Sequence, residues 1–162
     1  MSENFTEYKE RINGYIGDHD PLDLQAGMPE RLASLISGVA QEVLTFQPGP
    51  GKWCILEIIA HLADDELVGA YRIRTILSDP GCDIQAFDQA LWAERGKYRQ
   101  IPSDGSVALF RELRLANLRL FHSLDPHQWD YYGMHAERGQ ESIRDIARYY
   151  AGHDINHLRQ IQ

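Results

Sequence analysis

Apolar residues recur at steps of three and four along most of this chain, which is the spacing of one face of an α-helix. We predict five substantial helices separated by breaks rich in glycine, proline and aspartate. They cover residues 3–16, 28–39, 54–77, 106–123 and 142–161. A short helix opened by Pro21 with Asp20 as its cap, and another near 87–94, fall in the connections. No strand pattern competes convincingly, so the prediction is an all-α four-helix bundle with short extra helices, one domain over 1–162.

Polar residues before two of the long helices are placed to cap them. Ser142 and Asp145 have the spacing of a capping box, in which a serine and an acid three residues later satisfy backbone donors reciprocally. Ser103 or Asp104 can cap the helix over 106–123. The starts of both helices are therefore predicted from side-chain chemistry as well as from periodicity.

Two histidines stand four residues apart inside the apolar stripe of the last helix. His153 and His157 lie one turn apart on the same face, where two imidazoles can share one metal ion. A third histidine, His61, falls at the edge of the stripe of the helix over 54–77, where it could face a cleft. Spacing alone leaves core packing and metal binding both open. Burying both imidazoles without a shared partner would be costly, so we treat the three histidines as a candidate metal site.

Several acids could hold the outer nitrogens of these imidazoles, which metal-bound histidines normally need. Asp65 lies one turn after His61, and Asp64 and Asp154 are also near in sequence. The alternative for each acid is a simple solvated carboxylate, which suits Asp64 better than Asp65.

Three further polar residues on the long helices have two interpretations each. Asn117 interrupts an apolar face, either as a buried asparagine bonded to a neighbouring helix or as part of a cavity lining. Arg72 and Arg74 follow His61 on the same helix and could bind an acidic substrate. Ion pairing on the helix surface is the simpler account of both arginines.

The composition is that of an ordinary globular chain. It has 162 residues and a net charge of −8, which argues against the basic face that nucleic-acid binding requires. The start Met1–Phe5 lacks the regions of a signal peptide, and no apolar run approaches the roughly 18 residues that span a bilayer. Cys54 and Cys82 are too few for a disulfide framework, and Cys54, at capping-box spacing from Glu57, is expected simply to pack. We expect a soluble, cytoplasmic, reduced protein.

Several segments, taken in order, resemble a known family. They are Pro50–Trp53, Glu57–Glu66, Gly133–Gly139 and His153–Ile161. Their order and spacing resemble those of the DinB-like (YfiT-like) superfamily, in which a four-helix bundle holds a divalent metal, often zinc or nickel, with three histidines. His61, His153 and His157 match those three positions. His135 lies in the segment that resembles the loop before the last helix of the family, and is a candidate pocket residue, whereas His19, His122 and His127 are expected at the surface.

The resemblance implies several activities for such a site. Relatives include thiol S-transferases that use a low-molecular-weight thiol, a thiol-dependent isomerase and proteins described as metal-dependent hydrolases. Our first hypothesis is a thiol S-transferase acting on a small-molecule substrate, followed by a hydrolase with metal-bound hydroxide. A non-catalytic, stress-related metal-binding bundle is the alternative from another class. Asp65, Asn117 and His135 are candidate catalytic residues, and the family makes a homodimer plausible.

Overall fold

The chain folds almost entirely into helices in the computed structural model, which describes residues 3–162. Along the chain, the elements are α1 (Phe5–Gly14), α2 (Pro21–Ala26), α3 (Met28–Ile36), α4 (Gln41–Leu44), α5 (Ile55–Ser78), β1 (Asp83–Ile84), α6 (Gln89–Arg95), α7 (Ser103–His122), β2 (Tyr132–His135), β3 (Gly139–Ser142) and α8 (Ile143–Ile161), with 3₁₀ turns at Tyr98–Gln100 and Pro126–Asp130. Met1 and Ser2, which the predicted domain includes, lie outside the described residues. Within residues 3–162, every helix is too short or too polar to cross a membrane.

The three longest helices, α5, α7 and α8, form the centre of a four-helix bundle. α5 packs along α7 and α8, while α1, α2 and α3 close the remaining side against α8 and α7. One apolar cluster joins the start of α5 to the end of α8 through Ile59 and Leu158. A second cluster joins the end of α5 to the start of α8 through Ile76 and Ile143, so the two helices run antiparallel. The predicted four-helix bundle is confirmed, and a layer of polar side chains crosses it between the two clusters.

Helix starts follow the predicted chemistry at α8 but not at α7. The Ser142 hydroxyl accepts the Asp145 backbone N–H at 3.1 Å, and the Asp145 carboxylate accepts the Ser142 backbone N–H at 3.1 Å. This capping box confirms the prediction for α8. The prediction that Ser103 or Asp104 caps α7 is wrong, because Ser103 already lies in the helix and Pro102 precedes it without a side-chain cap. Proline fixes its own φ near the helical value and disfavours a helical conformation in the residue before it, so a helix can begin directly after a proline.

The helix predicted over 28–39 ends earlier, and a short helix follows it. Gly38 adopts a φ of 72°, a left-handed conformation that stops α3 at Ile36. α4 then forms a single turn before the Gln47–Gly51 break.

A small three-stranded sheet corrects the expectation that the chain has no strands. β1 pairs with β2 in parallel, with Ile84 opposite His135, and β2 and β3 form an antiparallel hairpin. β1 has only two residues and its partner strand lies far along the chain, so no periodic pattern in the sequence predicts the pairing. The sheet matters because it fixes His135, which is buried, beside the bundle.

We expect Gly152→Ala to lower the free energy of unfolding by about 1–3 kcal/mol, the usual cost of overpacking. A Cβ at this position of α8 would lie 2.4 Å from the carbonyl oxygen of Ile12, so α1 would have to move away. Gly105→Ala in α7 is the matched control, since a Cβ there meets nothing within 4 Å. That variant should gain up to about 1 kcal/mol from helix propensity. Urea unfolding measures both, and equal stabilities would contradict the close packing of α1 on α8.

Candidate metal centre

α8 places two histidines in the interior of the bundle. The helix is buried almost completely from Ala151 to Leu158, because α1, α2 and α5 all pack on this stretch or beside it. His153 and His157 are consequently only 4% and 6% exposed. The spacing of four residues places their rings on one face, where they meet edge to face with ring centroids 4.4 Å apart.

α5 supplies the third histidine. His61 is 1% exposed, so it lies inside the bundle rather than at its surface. α5 is covered on its outer side as well, by α6 and by the turn that contains Tyr98, and this second layer buries positions at the margin of its apolar stripe. The Trp53 ring packs against the His61 ring at 4.9 Å and lies parallel to the His157 ring at 6.4 Å.

The three imidazoles point the same nitrogen at one another. His153 Nε2 lies 3.2 Å from His61 Nε2 and 3.1 Å from His157 Nε2, and the three ring ligand atoms all lie within 4.8 Å of each other. Metal–nitrogen bonds of about 2.0–2.1 Å at tetrahedral angles would separate neighbouring nitrogens by about 3.3–3.4 Å. The observed spacing is close to this value, so the triad can hold one divalent ion with little movement.

The outer ring nitrogens show why these Nε2 atoms need a cation. His157 Nδ1 donates a hydrogen bond to Gln160 Oε1 at 2.8 Å, which leaves the Nε2 of a neutral ring without a proton. His153 Nδ1 lies 3.6 Å from Asp65 Oδ2, and neither atom has another partner among residues 3–162. A proton on His153 Nδ1, the nitrogen that faces this carboxylate, leaves its Nε2 bare as well. Two buried lone pairs then face each other at 3.1 Å, an arrangement that a shared metal ion satisfies.

Burial keeps all three histidines neutral. Loss of solvent lowers the pKa of His61 and His153 well below 6.5 and lowers the pKa of His157 to about 4. For His61 and His153 the neighbouring imidazoles add to this effect. Neutral imidazole is the form that binds a metal, so the site is in its ligating state at neutral pH.

We expect His157→Leu to flatten the pH dependence of stability between pH 6.5 and about 4, measured with chelator present. An unfolded histidine takes up a proton near pH 6.5, whereas the folded one resists until about pH 4, so acid favours unfolding in this window. Wild-type stability should therefore fall relative to the variant, by up to about 1.4 kcal/mol per pH unit.

The comparison between variants is needed because two buried acids act in the opposite sense. Burial raises the pKa of Asp65 to about 7 and that of Asp154 to about 6, so the folded state takes up their protons first as the pH falls. Their contribution stabilises the folded protein below these values and offsets part of the histidine effect. Urea unfolding at pH 7, 6 and 5 gives both slopes, with His19→Leu as an exposed control. Equal slopes in wild type and His157→Leu would contradict a neutral, buried His157.

An open cleft reaches the triad. It has a volume of about 790 Å³, and its wall includes His153, His157, Trp53, Tyr8 and Tyr149. Small-molecule sites in proteins commonly have volumes of this size. Two of the three triad histidines, His153 and His157, line this cleft, an arrangement that resembles a catalytic metal site with an open coordination position more than a closed structural site.

A second pocket adjoins this cleft on the side of the sheet. It has a volume of about 540 Å³ and contains Asp65, Arg72 and His135 in its wall. Four residues line both spaces: Phe5, Gln89, Tyr149 and His153. A molecule bound in one pocket can therefore extend into the other beside His153.

The candidate acids separate into three environments. Asp65 faces His153, as described above. Asp154 instead forms an ion pair with Arg114 at 2.6 Å, and Asp64 accepts a hydrogen bond from the Tyr98 hydroxyl. Asp65 is therefore the acid that the fold places against a triad histidine, while Asp154 and Asp64 bind other side chains.

The other candidates also resolve into distinct roles. The buried Asn117 amide donates to Glu66 Oε2 at 3.0 Å on the neighbouring helix, which favours the bonded-asparagine interpretation. Arg74 is exposed and donates to Asn117, but Arg72 is buried, so surface ion pairing is the wrong account of Arg72. His135 lines the second pocket.

The remaining sequence predictions concern surface histidines and cysteines. His19, His122 and His127 are exposed, as predicted. Cys54 packs with Leu44 and Leu56, and burial raises the pKa of its thiol. The capping-box spacing is used as well, because the Cys54 backbone N–H donates to the Glu57 carboxylate at 2.8 Å, so Cys54 does more than pack. Neither cysteine lines the two pockets beside the triad.

Sequence reasoning missed three residues around the triad. Tyr149 stacks on the His153 ring, with centroids 5.6 Å apart, and Tyr8 lines the cleft from α1. Gln160 holds His157 Nδ1. Tyr149 and Gln160 stand four residues before His153 and three residues after His157, so helical spacing could have identified both, whereas the position of Tyr8 depends on how α1 docks.

Comparison with known proteins agrees with this architecture. A solved structure of YfiT from Bacillus subtilis, described as a probable metal-dependent hydrolase with an unusual four-helix bundle topology, superimposes with a TM-score of 0.82. The match covers 99% of this chain and 86% of YfiT at 19% sequence identity, and it shows the shared fold.

Sequence relatives cover most of the chain. A protein of Oceanobacillus iheyensis named "putative metal-dependent hydrolase" is 27% identical over 150 residues, which are 93% of this chain and 83% of the relative. One of the same name from Bacillus licheniformis is 26% identical over 135 residues, 83% of this chain and 77% of the relative. The model of the DinB superfamily matches residues 26–161. The chain therefore belongs to the DinB superfamily.

Proposed function

We propose that this protein is a metal-dependent hydrolase in which His61, His153 and His157 hold one divalent ion beside an open cleft. The observation that carries the proposal is the convergence of three neutral Nε2 atoms next to a space of about 790 Å³. An all-imidazole donor set suits zinc or nickel. When bound, such an ion supplies Lewis-acid chemistry and lowers the pKa of a coordinated water.

The residues around the triad hold it in a ligating geometry. Gln160 accepts the Nδ1 proton of His157, and Asp65 lies against Nδ1 of His153. Such partners select the tautomer and the ring orientation of a ligating imidazole. Trp53 covers the His61 ring and keeps water from that side of the site.

Two tyrosines of the cleft are suited to stabilise negative charge on a substrate oxygen. Burial raises the pKa of Tyr8 to about 12 and raises the pKa of Tyr149 as well, so both phenols stay protonated. A protonated phenol aimed at a developing oxyanion donates a hydrogen bond that strengthens in the transition state. Tyr149 would do this while stacked on His153.

Thiol transfer is the second candidate, and one observation favours it. The cleft and the adjoining pocket, about 790 and 540 Å³, have room for a thiol and an electrophile side by side. The thiol would come from a cosubstrate, since Cys54 is buried away from the cleft.

An assay of the metal-loaded, full-length protein separates the two. We expect hydrolysis of activated esters or amides that needs zinc or nickel, proceeds without thiol, disappears in His153→Ala and persists in His19→Ala. Tyr149→Phe should lower kcat more than it changes KM, because its hydrogen bond acts in the transition state. Turnover that requires added thiol would replace the hydrolase by the transferase. Bound metal without any turnover would contradict both and leave a non-catalytic bundle.

A further inference from the structure

Arg72 is a buried cation that has no carboxylate in direct contact among the described residues. Its side chain, on α5, is 6% exposed. Among residues 3–162, Arg114 and Arg138 form ion pairs with Glu66 and Glu141, at 2.7 and 2.9 Å, but no carboxylate lies within ion-pair distance of Arg72. The free Asp65 oxygen is directed at His153 Nδ1 instead. Removing a charge from water without pairing it is costly, so Arg72 is an unusual feature of this core.

Neutral groups satisfy only part of the Arg72 guanidinium. Nη2 donates to the Gln85 carbonyl oxygen at 3.1 Å and lies 3.2 Å from His135 Nε2. The backbone N–H of Glu137 lies 3.2 Å from the other ring nitrogen of His135, Nδ1. A neutral imidazole has one acceptor nitrogen, so only one of these two contacts with His135 can be a hydrogen bond. Arg72 Nε has no acceptor among the described residues.

Arg72 lies where its charge can contact a ligand bound beside the triad. Arg72 lines the pocket of about 540 Å³, which shares His153, Tyr149, Phe5 and Gln89 with the cleft. A small molecule whose reacting group lies at the triad can therefore extend past His153 and reach the guanidinium.

We propose that Arg72 forms a carboxylate-binding subsite beside the metal centre, so that the substrate of the proposed hydrolase carries a carboxylate group. The substrate class rests on the proposed function. The binding of an anion by Arg72 does not, because it can be measured without catalysis. The bound carboxylate supplies the missing counterion and accepts the open guanidinium donors, an interaction that arginine makes well.

The surroundings favour a carboxylate over a phosphate. Asp65, Asp88 and Glu137 all line the same pocket, and its other cation, Arg138, is already paired with Glu141 at 2.9 Å. Each added negative charge on a ligand is repelled by these acids, so a singly charged carboxylate fits better than a phosphate dianion.

The test is a calorimetric titration of the full-length protein with propionate and, separately, with inorganic phosphate. The variants are Arg72→Met, Arg74→Met and His61→Ala. Arg74 is the matched control, since it stands two residues away on the same helix and is exposed. We expect propionate to bind wild type and Arg74→Met alike and to bind Arg72→Met at least tenfold more weakly. Arg72→Met should melt at the same temperature as wild type or higher, because methionine removes an uncompensated buried charge.

His61→Ala separates this subsite from the metal centre, because His61 contributes to the triad but does not line the pocket. Propionate binding that survives in His61→Ala supports the subsite even if no hydrolysis is ever found. Binding that is lost in His61→Ala but kept in Arg72→Met would place the anion on the metal, which overturns the subsite and leaves the proposed function standing. No propionate binding by wild type also overturns it. Tighter binding of phosphate than of propionate would overturn the choice of carboxylate.

Discussion

Arg114→Ala is expected to lower the free energy of unfolding by about 3–5 kcal/mol. The Arg114 side chain is completely buried, and its guanidinium binds Asp154 at 2.6 Å and Glu66 at 2.7 Å. Alanine would leave two buried carboxylates without a cation, and desolvation makes such charges expensive. The expected loss is a large part of the roughly 5–15 kcal/mol that stabilises an ordinary domain.

The cost is large because Arg114 connects four helices. From α7 its guanidinium reaches Glu66 on α5, Asp154 on α8 and the Gln25 carbonyl oxygen at the end of α2, 3.1 Å away. Asn117, one turn further along α7, donates to the same Glu66 carboxylate. This network forms the middle of the polar layer, directly beside the triad, since Asp154 follows His153 in the chain.

Urea unfolding of Arg114→Ala and of Arg111→Ala tests this interpretation. Arg111 lies on the same helix and pairs with Glu30 at 3.4 Å on the surface, so its removal should cost less than about 1 kcal/mol. Replacing Arg114, Glu66 and Asp154 together by apolar residues should recover most of the stability lost in Arg114→Ala, because no unpaired charge then stays buried. Similar losses for Arg114→Ala and Arg111→Ala would contradict a central role for the network.

His153→Ala is expected to weaken binding of zinc or nickel by more than about 100-fold, since losing an outer partner of a ligand alone costs 10–100-fold. His153 is the shared member of the triad, within 3.1–3.2 Å of both other Nε2 atoms. Without it, His61 and His157 offer two nitrogens from different helices. Competition against a chelator of known affinity measures the change, and His19→Ala, an exposed histidine, should bind as wild type does. An affinity in His153→Ala within tenfold of wild type would show that the metal binds elsewhere.

The sequence was sufficient for the features that depend on local spacing. The capping box at Ser142 needs only a serine, an acid three residues later and an apolar run, and α8 begins there. Helical spacing also places His153 and His157 on one face whatever the rest of the chain does. His61 was joined to them as a hypothesis, which the resemblance to a family supports, since no spacing argument connects it to two residues on another helix.

Features that depend on docking between distant elements were not predictable from periodicity. His61 is buried against Trp53 and the two histidines of α8, and the pairing of Ile84 with His135 joins elements far apart in the chain. Arg72 and Arg74 are two residues apart on one helix, yet Arg72 is buried and Arg74 is exposed. Such outcomes depend on the register between helices, which is set by the packing of the whole bundle.

The metal content of the purified protein shows whether the three histidines form one metal site. Full-length protein purified without an affinity tag, as wild type and as His153→Ala, would be analysed by mass spectrometry for zinc and nickel. We expect about one equivalent of metal per chain in wild type and its loss in the variant. Wild-type protein that carries no metal, and gains no thermal stability when zinc or nickel is added, would contradict it.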